Sequence, residues 1–194
     1  DAFAFVAREI ENALEHAHGK RAAHGQLLGV VHRDIAPDNV LVSHEGAVKL
    51  VDFGIAKATA RGSKTAIGVI KGKYSYMSPE QASGQPVDGA ADIYSLGVVL
   101  YEMLTGRALY DEPNPQRLLD LIREGAFVAP SRLRADVPVA LEKIVMRCLA
   151  PRAHRYQDAR ELAADLHLFL QSFSPQFVSG TLASLVGVVL DRAG

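Results

Sequence analysis

The distribution of apolar residues along the chain predicts a mostly helical protein. Residues 3–18 carry apolar side chains every three or four positions, with Val6, Ile10 and Leu14 on one face, which is typical of an amphipathic helix. Residues 91–105 are apolar on almost every face, and such a helix lies in the centre of a domain. The same reasoning predicts helices over residues 115–124, 138–149 and 159–171, and a short helix near residues 79–83.

Two short runs rich in β-branched residues, 40–43 and 47–51, are separated by a polar turn that contains Gly46, and they predict a β-hairpin. Residues 19–30 form a basic, Gly-containing loop, and residues 52–90 show so little periodicity that we predict a long functional loop. The fold class expected from this pattern is α+β, mostly α, in which a small hairpin carries polar loops.

The helix ends carry capping signals. Asn114 precedes a proline at the first helical position, and Gly125 follows the last turn. Asp158 is followed three residues later by Glu161, which is the spacing of a capping box.

Composition and charge exclude several kinds of partner. A net charge of −1 over 194 residues gives no reason to expect a nucleic-acid or membrane-surface partner. Cys148, the single cysteine, lies among apolar residues and is expected to be a buried structural thiol, which suits a cytoplasmic protein. The chain lacks an initial Met and begins inside a predicted helix, which favours a fragment of a larger protein.

The apolar tail, residues 175–194, is expected to form a terminal helix packed on the domain. Gly180 and Gly187 interrupt it, and it is shorter than the run of about 18 apolar residues that a membrane span needs. A segment that leads toward a membrane region is the alternative.

Three polar residues are predicted to converge at one end of the hairpin. Asp34 and Asn39 lie on a tight loop before the first strand, and Asp52 ends the second strand. Carboxylate and amide oxygens suit Mg²⁺, which keeps waters or phosphates as its other ligands. Asn39 and Asp52 are the expected ligands, which leaves Asp34 free to accept a hydrogen bond from a hydroxyl nucleophile. Each residue taken singly also fits an ordinary turn.

Five motifs resemble the C-terminal lobe of a eukaryotic-type serine/threonine protein kinase of the bacterial kind. "VVHRDIAPDNVLV" resembles the catalytic loop, and "VKLVDFGIAKA" resembles the metal-binding strand with the start of the activation segment. "GKYSYMSPEQ" resembles the end of that segment, "DIYSLGVVLYEMLTG" the central helix and "RYQDARELAADL" the last block. The resemblance covers roughly residues 3–171, so residues 1–174 are expected to be a kinase C-lobe.

The resemblance implies a role for each matching residue. Asp34 would be the catalytic base, Asn39 and Asp52 would hold Mg²⁺, and Leu41 would form part of the floor under the adenine of ATP. Arg33 would contact the activation segment. The other implied roles are activation-segment phosphosites at Thr59, Ser63 and Thr65, an Asp92 brace for the catalytic loop, a buried Glu80–Arg155 ion pair, and packing by His32 and Phe53.

The sequence departs from the family pattern in one large respect. It contains no Gly-x-Gly-x-x-Gly loop and no Val-Ala-x-Lys strand, which in the family belong to the N-terminal lobe that grips ATP. We therefore expect the missing N-terminal lobe to be a required partner, together with ATP and a protein substrate. The chain alone is expected to be inactive.

A smaller departure lies inside the catalytic loop. Ala36 occupies a position at which the family usually has Lys, and Lys73 occupies a position at which it usually has Thr. Because the two positions are expected to touch in the family fold, we predict that the Lys73 ammonium replaces the missing charge near Asp34.

Two other functions remain open at this point. One is a pseudokinase-like scaffold or protein-binding module, against which the retention of Asp34, Asn39 and Asp52 argues. The other is a small-molecule phosphotransferase, which shares the Asp-x-x-x-x-Asn loop; the Ser78-Pro79-Glu80 motif favours a protein substrate instead, with residues 115–124 as its docking surface.

Overall fold

The computed structural model describes residues 2–53 and 74–193. The first part contains helix α1 (Ala2–His18), a short 3-10 helix (Pro37–Asn39) and strands β1 (Val40–Val42) and β2 (Val48–Leu50). The second part contains α2 (Pro79–Ala82), α3 (Gly89–Thr105), α4 (Pro115–Glu124), α5 (Pro130–Leu133), α6 (Val139–Cys148), α7 (Ala159–Phe173) and α8 (Ser179–Ala193). The prediction of a mostly helical protein with a small hairpin is confirmed.

The hairpin is antiparallel and shorter than predicted. Val40 pairs with Leu50, and Val42 pairs with Val48. The Ser43 hydroxyl accepts hydrogen bonds from the backbone N–H groups of Glu45 and Ala47, at 3.2 and 3.1 Å. Ser43 therefore belongs to the turn and not to the strand.

Helix α3 forms the centre of the core. Ile93, Leu96 and Leu100 on this helix are completely buried, as expected for a helix that is apolar on almost every face. Helices α1, α6 and α7 pack around it, and α1 lies along both α3 and α7. Cys148 is buried at the end of α6, which confirms the prediction of a structural thiol.

One predicted cap forms as expected and the other forms only in part. The Asn114 side chain accepts hydrogen bonds from the first backbone N–H groups of α4, and Gly125 ends that helix with a φ of 64°. The Asp158 carboxylate caps α7 by accepting from Arg160 N. The Glu161 side chain pairs with Arg147 on α6, because an oppositely charged partner on a neighbouring helix competes for it.

Helix α8 contacts the domain mainly through its first half. Leu182 is buried, whereas Leu185, Val189 and Leu190 are exposed. The turn of the hairpin touches the start of α8, and the Phe177 ring lies 5.5 Å from that of Phe5 on α1. Among the described residues, no helix has the length and apolarity needed to cross a membrane.

Candidate active site

The centre of the candidate site is a buried carboxylate on the first turn of α3. Asp92 is completely buried. Its two oxygens accept hydrogen bonds from the backbone N–H groups of His32 and Arg33, each at 2.8 Å, and from His18 Nε2, also at 2.8 Å. Three donors compensate for the cost of burying this charge. The result is a loop whose backbone is fixed to the central helix.

The loop has an unusual backbone at Arg33. Its φ is 64°, in the left-handed region that side chains disfavour. Such a conformation persists only where surrounding groups hold it in place. The Arg33 Nε atom is buried and has no hydrogen-bond partner among the described residues.

The imidazole of His32 joins the loop to the hairpin. Its Nδ1 accepts a hydrogen bond from Asp34 N at 3.3 Å, and its Nε2 lies 3.0 Å from Val51 O. An accepting Nδ1 and a donating Nε2 define a neutral ring with its proton on Nε2. The ring also packs against Phe53, with centroids 4.5 Å apart. His32 therefore links the loop to the hairpin and to Phe53.

Asn39 and Asp52 are brought to one end of the hairpin. Asn39 Nδ2 donates to Asp34 O at 2.6 Å, and Asn39 O accepts from Val51 N at 2.9 Å. Asp52 follows Val51 directly and has a φ of 58°. Since Nδ2 is used within the loop, the amide oxygen of Asn39 is the atom left for a ligand.

The donor set at this place fits a magnesium ion that keeps other ligands. Among the described residues, no group of three or more His, Cys, Asp or Glu could hold a metal ion. Asn39 and Asp52 would supply one amide oxygen and one carboxylate. Mg²⁺ is commonly bound by one or two carboxylates together with waters and substrate phosphates.

Glu80 on α2 and Arg155 form a buried ion pair. Arg155 Nη1 lies 2.7 Å from Glu80 Oε1 and donates to Ala90 O at 2.8 Å, while Arg155 Nε donates to Ala150 O at 3.2 Å. The Arg155 guanidinium also lies 4.8 Å from the centre of the Tyr94 ring. The pair fixes α2 against the start of α3.

Sequence reasoning missed a second contact between this region and α3. The Tyr76 hydroxyl donates to Glu102 Oε2 at 2.5 Å, and the Ser95 hydroxyl donates to Tyr76 O at 2.7 Å. Burial, together with the Glu102 carboxylate, raises the pKa of Tyr76 well above its ordinary value. Tyr76 therefore stays protonated and continues to donate to Glu102.

The structure describes Leu41 and Ala36 but not the candidate phosphosites or Lys73. Leu41 lies on β1 with 53% of its surface exposed. Ala36 precedes the 3-10 helix. The others lie outside the described residues, so the phosphosite and charge-exchange hypotheses stay predictions: Thr59, Ser63, Thr65 and Lys73.

Comparison with known proteins identifies the family. A family model described as a protein kinase domain matches residues 1–165. The chain therefore belongs to the protein kinase domain family, in its eukaryotic-type bacterial form.

Three curated relatives illustrate this membership. The chain is 42% identical over 177 residues to the tyrosine-protein kinase MasK of Myxococcus xanthus, which is 91% of this chain and 27% of MasK. It is 44% identical over 142 residues to the serine/threonine-protein kinase PknB of Mycolicibacterium smegmatis, 71% of this chain and 23% of PknB. It is 35% identical over 162 residues to the serine/threonine-protein kinase PrkC of Bacillus subtilis, 83% of this chain and 24% of PrkC. The chain thus spans about a quarter of the length of these relatives.

Proposed function

We propose that the chain is the C-terminal lobe of a serine/threonine protein kinase. The complete catalytic domain would transfer the terminal phosphoryl group of ATP to Ser or Thr hydroxyls of a protein. The observation that supports this most strongly is the hydrogen-bonded loop in which Asn39 Nδ2 donates to Asp34 O and Asn39 O accepts from Val51 N, the residue before Asp52.

The proposed chemistry divides between Asp34 and the pair of oxygen donors. Asp34 accepts the proton of the substrate hydroxyl as that oxygen attacks the phosphorus. Asn39 and Asp52 hold Mg²⁺, which supplies positive charge to the phosphate oxygens when it is bound. The hydrogen bond from Asn39 to Asp34 O ties the ligand and the base to a single backbone geometry.

The remaining part of the nucleotide site would come from an N-terminal lobe. Leu41 is exposed on the hairpin and would form the floor under the adenine. The Gly-rich loop and the Lys strand that grip the phosphates in the family do not occur in these 194 residues. Holding reacting groups in the right geometry lowers the activation free energy by about 7–11 kcal/mol in well-oriented reactions. Without the elements that position ATP, this chain alone would be inactive.

We further propose a role for each of α4, Arg33 and Lys73. Helix α4 would provide a docking surface for the protein substrate. Arg33, whose Nε has no partner within the described part of the chain, would receive a phosphate on the activation segment. Lys73 would supply the charge that is absent at Ala36.

Phosphoryl transfer by the complete catalytic domain tests this proposal. The protein with its upstream sequence is incubated with labelled ATP, Mg²⁺ and a panel of protein substrates, followed by phosphoamino-acid analysis. We expect phosphoserine or phosphothreonine. The absence of any phosphotransfer, together with protein binding that is independent of ATP, would instead support the scaffold alternative.

A tyrosine acceptor is the second candidate function. The observation that favours it is the 42% identity to MasK, whose name is that of a tyrosine kinase. Label recovered only in phosphotyrosine in the same experiment would establish this acceptor and overturn the serine/threonine proposal.

A further inference from the structure

The side chain of Gln81 on α2 uses both ends of its amide. Its Oε1 accepts a hydrogen bond from Ser78 N at 3.0 Å, and its Nε2 donates to Arg33 O at 3.1 Å. Ser78 N–H can only donate and Arg33 O can only accept, so a single orientation of the amide satisfies both. The Ser78 hydroxyl completes the capping box by accepting from Gln81 N at 3.3 Å.

The contact with Arg33 O fixes the peptide unit that precedes Asp34. The oxygen of this unit accepts from Gln81, and its N–H, which belongs to Asp34, donates to His32 Nδ1 at 3.3 Å. In the preceding peptide unit, Arg33 N donates to Asp92 at 2.8 Å. A residue with a φ of 64° is thus held on both sides by side chains from two different helices, α2 and α3.

The opposite end of α2 is held by α4. Arg123 Nε and Nη2 both donate to Ala82 O, at 3.1 and 2.6 Å. Helix α2 therefore lies between α4 and the catalytic loop, with a side-chain hydrogen bond at each end. A displacement of α2 would remove the donor from Arg33 O.

We propose that Gln81 is a positioning residue that orients the peptide unit before Asp34 and couples the placement of α2 to the catalytic base. The role of Asp34 as base rests on the proposed function. We call the hydrogen bonds that hold this peptide unit the backbone clamp. The clamp is a property of the fold and can be tested without knowing the catalytic role of Asp34.

The test compares Gln81→Glu with Ser78→Ala in the complete catalytic domain. Gln81→Glu keeps an oxygen that can accept from Ser78 N, and Glu is as good as Gln at this position of a capping box. It replaces the donor that faces Arg33 O by a carboxylate oxygen. Ser78→Ala weakens the cap and leaves the contact between Gln81 and Arg33 in place. It is the matched control for any loosening of α2.

Two measurements report on the clamp. Hydrogen exchange of the backbone amides at residues 33–35 should be about tenfold faster in Gln81→Glu than in the unsubstituted protein, and unchanged in Ser78→Ala. The value of kcat should fall by about ten- to a hundredfold in Gln81→Glu, because small misplacements of reacting groups cost about that much. The KM for ATP should stay within about threefold of its original value, since Gln81 is not proposed to touch the nucleotide.

The pH dependence of the activity of Gln81→Glu is a third measurement, and a purely structural role of Gln81 would not change it. When protonated, the introduced carboxyl can donate to Arg33 O as the amide did. The ratio of Gln81→Glu activity to unsubstituted activity should therefore rise as the pH falls. Should Gln81→Glu fail to fold, as judged by circular dichroism, Gln81→Met takes its place in the exchange and kcat comparisons.

The outcomes separate the two claims. The positioning role would be overturned if residues 33–35 exchanged at the same rate in Gln81→Glu and Ser78→Ala. It would also be overturned if Gln81→Glu lost no more kcat than Ser78→Ala. If Gln81→Glu exchanges faster at residues 33–35 than the unsubstituted protein, but the unsubstituted protein has no phosphotransfer activity, the result would support the clamp and contradict the proposed function.

Discussion

At the scale of single residues, Glu11 on α1 is an ionisable residue that is buried, and its position in the sequence does not predict this burial. It is completely buried, and neither carboxyl oxygen has a hydrogen-bond partner among the described residues. Burial raises its pKa to about 8, with smaller contributions from Glu15 on the same helix and Asp158 at the start of α7. Glu11 is therefore mostly protonated at neutral pH.

This carboxyl should make stability depend on pH. The unfolded chain, with a pKa of about 4.5 for this group, loses the proton before the folded chain does. As far as this group is concerned, stability is therefore highest below pH 4.5 and falls between pH 4.5 and about 8, by about 5 kcal/mol in total.

We predict that Glu11→Gln stabilises the protein more at pH 8.5 than at pH 5, because the amide does not ionise. Urea unfolding at the two pH values measures the difference, and Glu124→Gln on the exposed end of α4 is the control. Equal effects of Glu11→Gln at both pH values would contradict the raised pKa.

The Glu80–Arg155 pair gives a second prediction at this scale. Arg155→Met should lower the free energy of unfolding by roughly 3–5 kcal/mol, because it leaves the Glu80 carboxylate buried without its partner. Adding Glu80→Gln to Arg155→Met should recover part of this loss. A double-mutant cycle from urea unfolding measures the coupling, and strictly additive losses would show that the pair contributes no interaction.

At the scale of elements, the contact between the hairpin turn and α8 depends on Gly46. Its φ is 77°, and a Cβ atom there would lie 2.0 Å from Ser179 O. Gly84 has a similar φ of 65° but no atom within 4 Å of a Cβ atom. Both glycines therefore have a left-handed backbone that a side chain disfavours, but only at Gly46 would a side chain also clash with a neighbouring atom.

We predict that Gly46→Ala loosens α8, whereas Gly84→Ala carries only the backbone cost of about 1 kcal/mol. Limited proteolysis should cut within residues 175–193 faster in Gly46→Ala than in Gly84→Ala. Identical cleavage rates would show that the turn does not hold the helix.

Local signals in the sequence were sufficient for most elements. The apolar period identified the long helices, and Asn114 with Gly125 marked both ends of α4. The capping box at Ser78 and Gln81 could also have been found, because its spacing is the standard one. The link from Gln81 to Arg33 could not, because it joins residues 48 positions apart that meet only after folding. The same limit applies to the burial of Glu11, which depends on how α7 packs against α1.

At the scale of the whole molecule, the proposed ATP site is shared between this chain and an N-terminal lobe. We predict that the purified 194-residue chain shows no phosphotransfer above background with ATP and Mg²⁺, because the elements that grip the phosphates are absent from its sequence. A radiometric assay measures this. Robust transfer by the 194-residue chain would refute the division.

The most direct test is kcat of the complete catalytic domain after Asp34→Asn. The control is Asp111→Asn, an exposed aspartate between α3 and α4. We predict that Asp34→Asn lowers kcat by at least about 10²-fold, as expected for loss of a general base, and that Asp111→Asn changes it by less than about twofold. An Asp34→Asn protein with kcat near the unsubstituted value would contradict the assignment of Asp34 as the catalytic base.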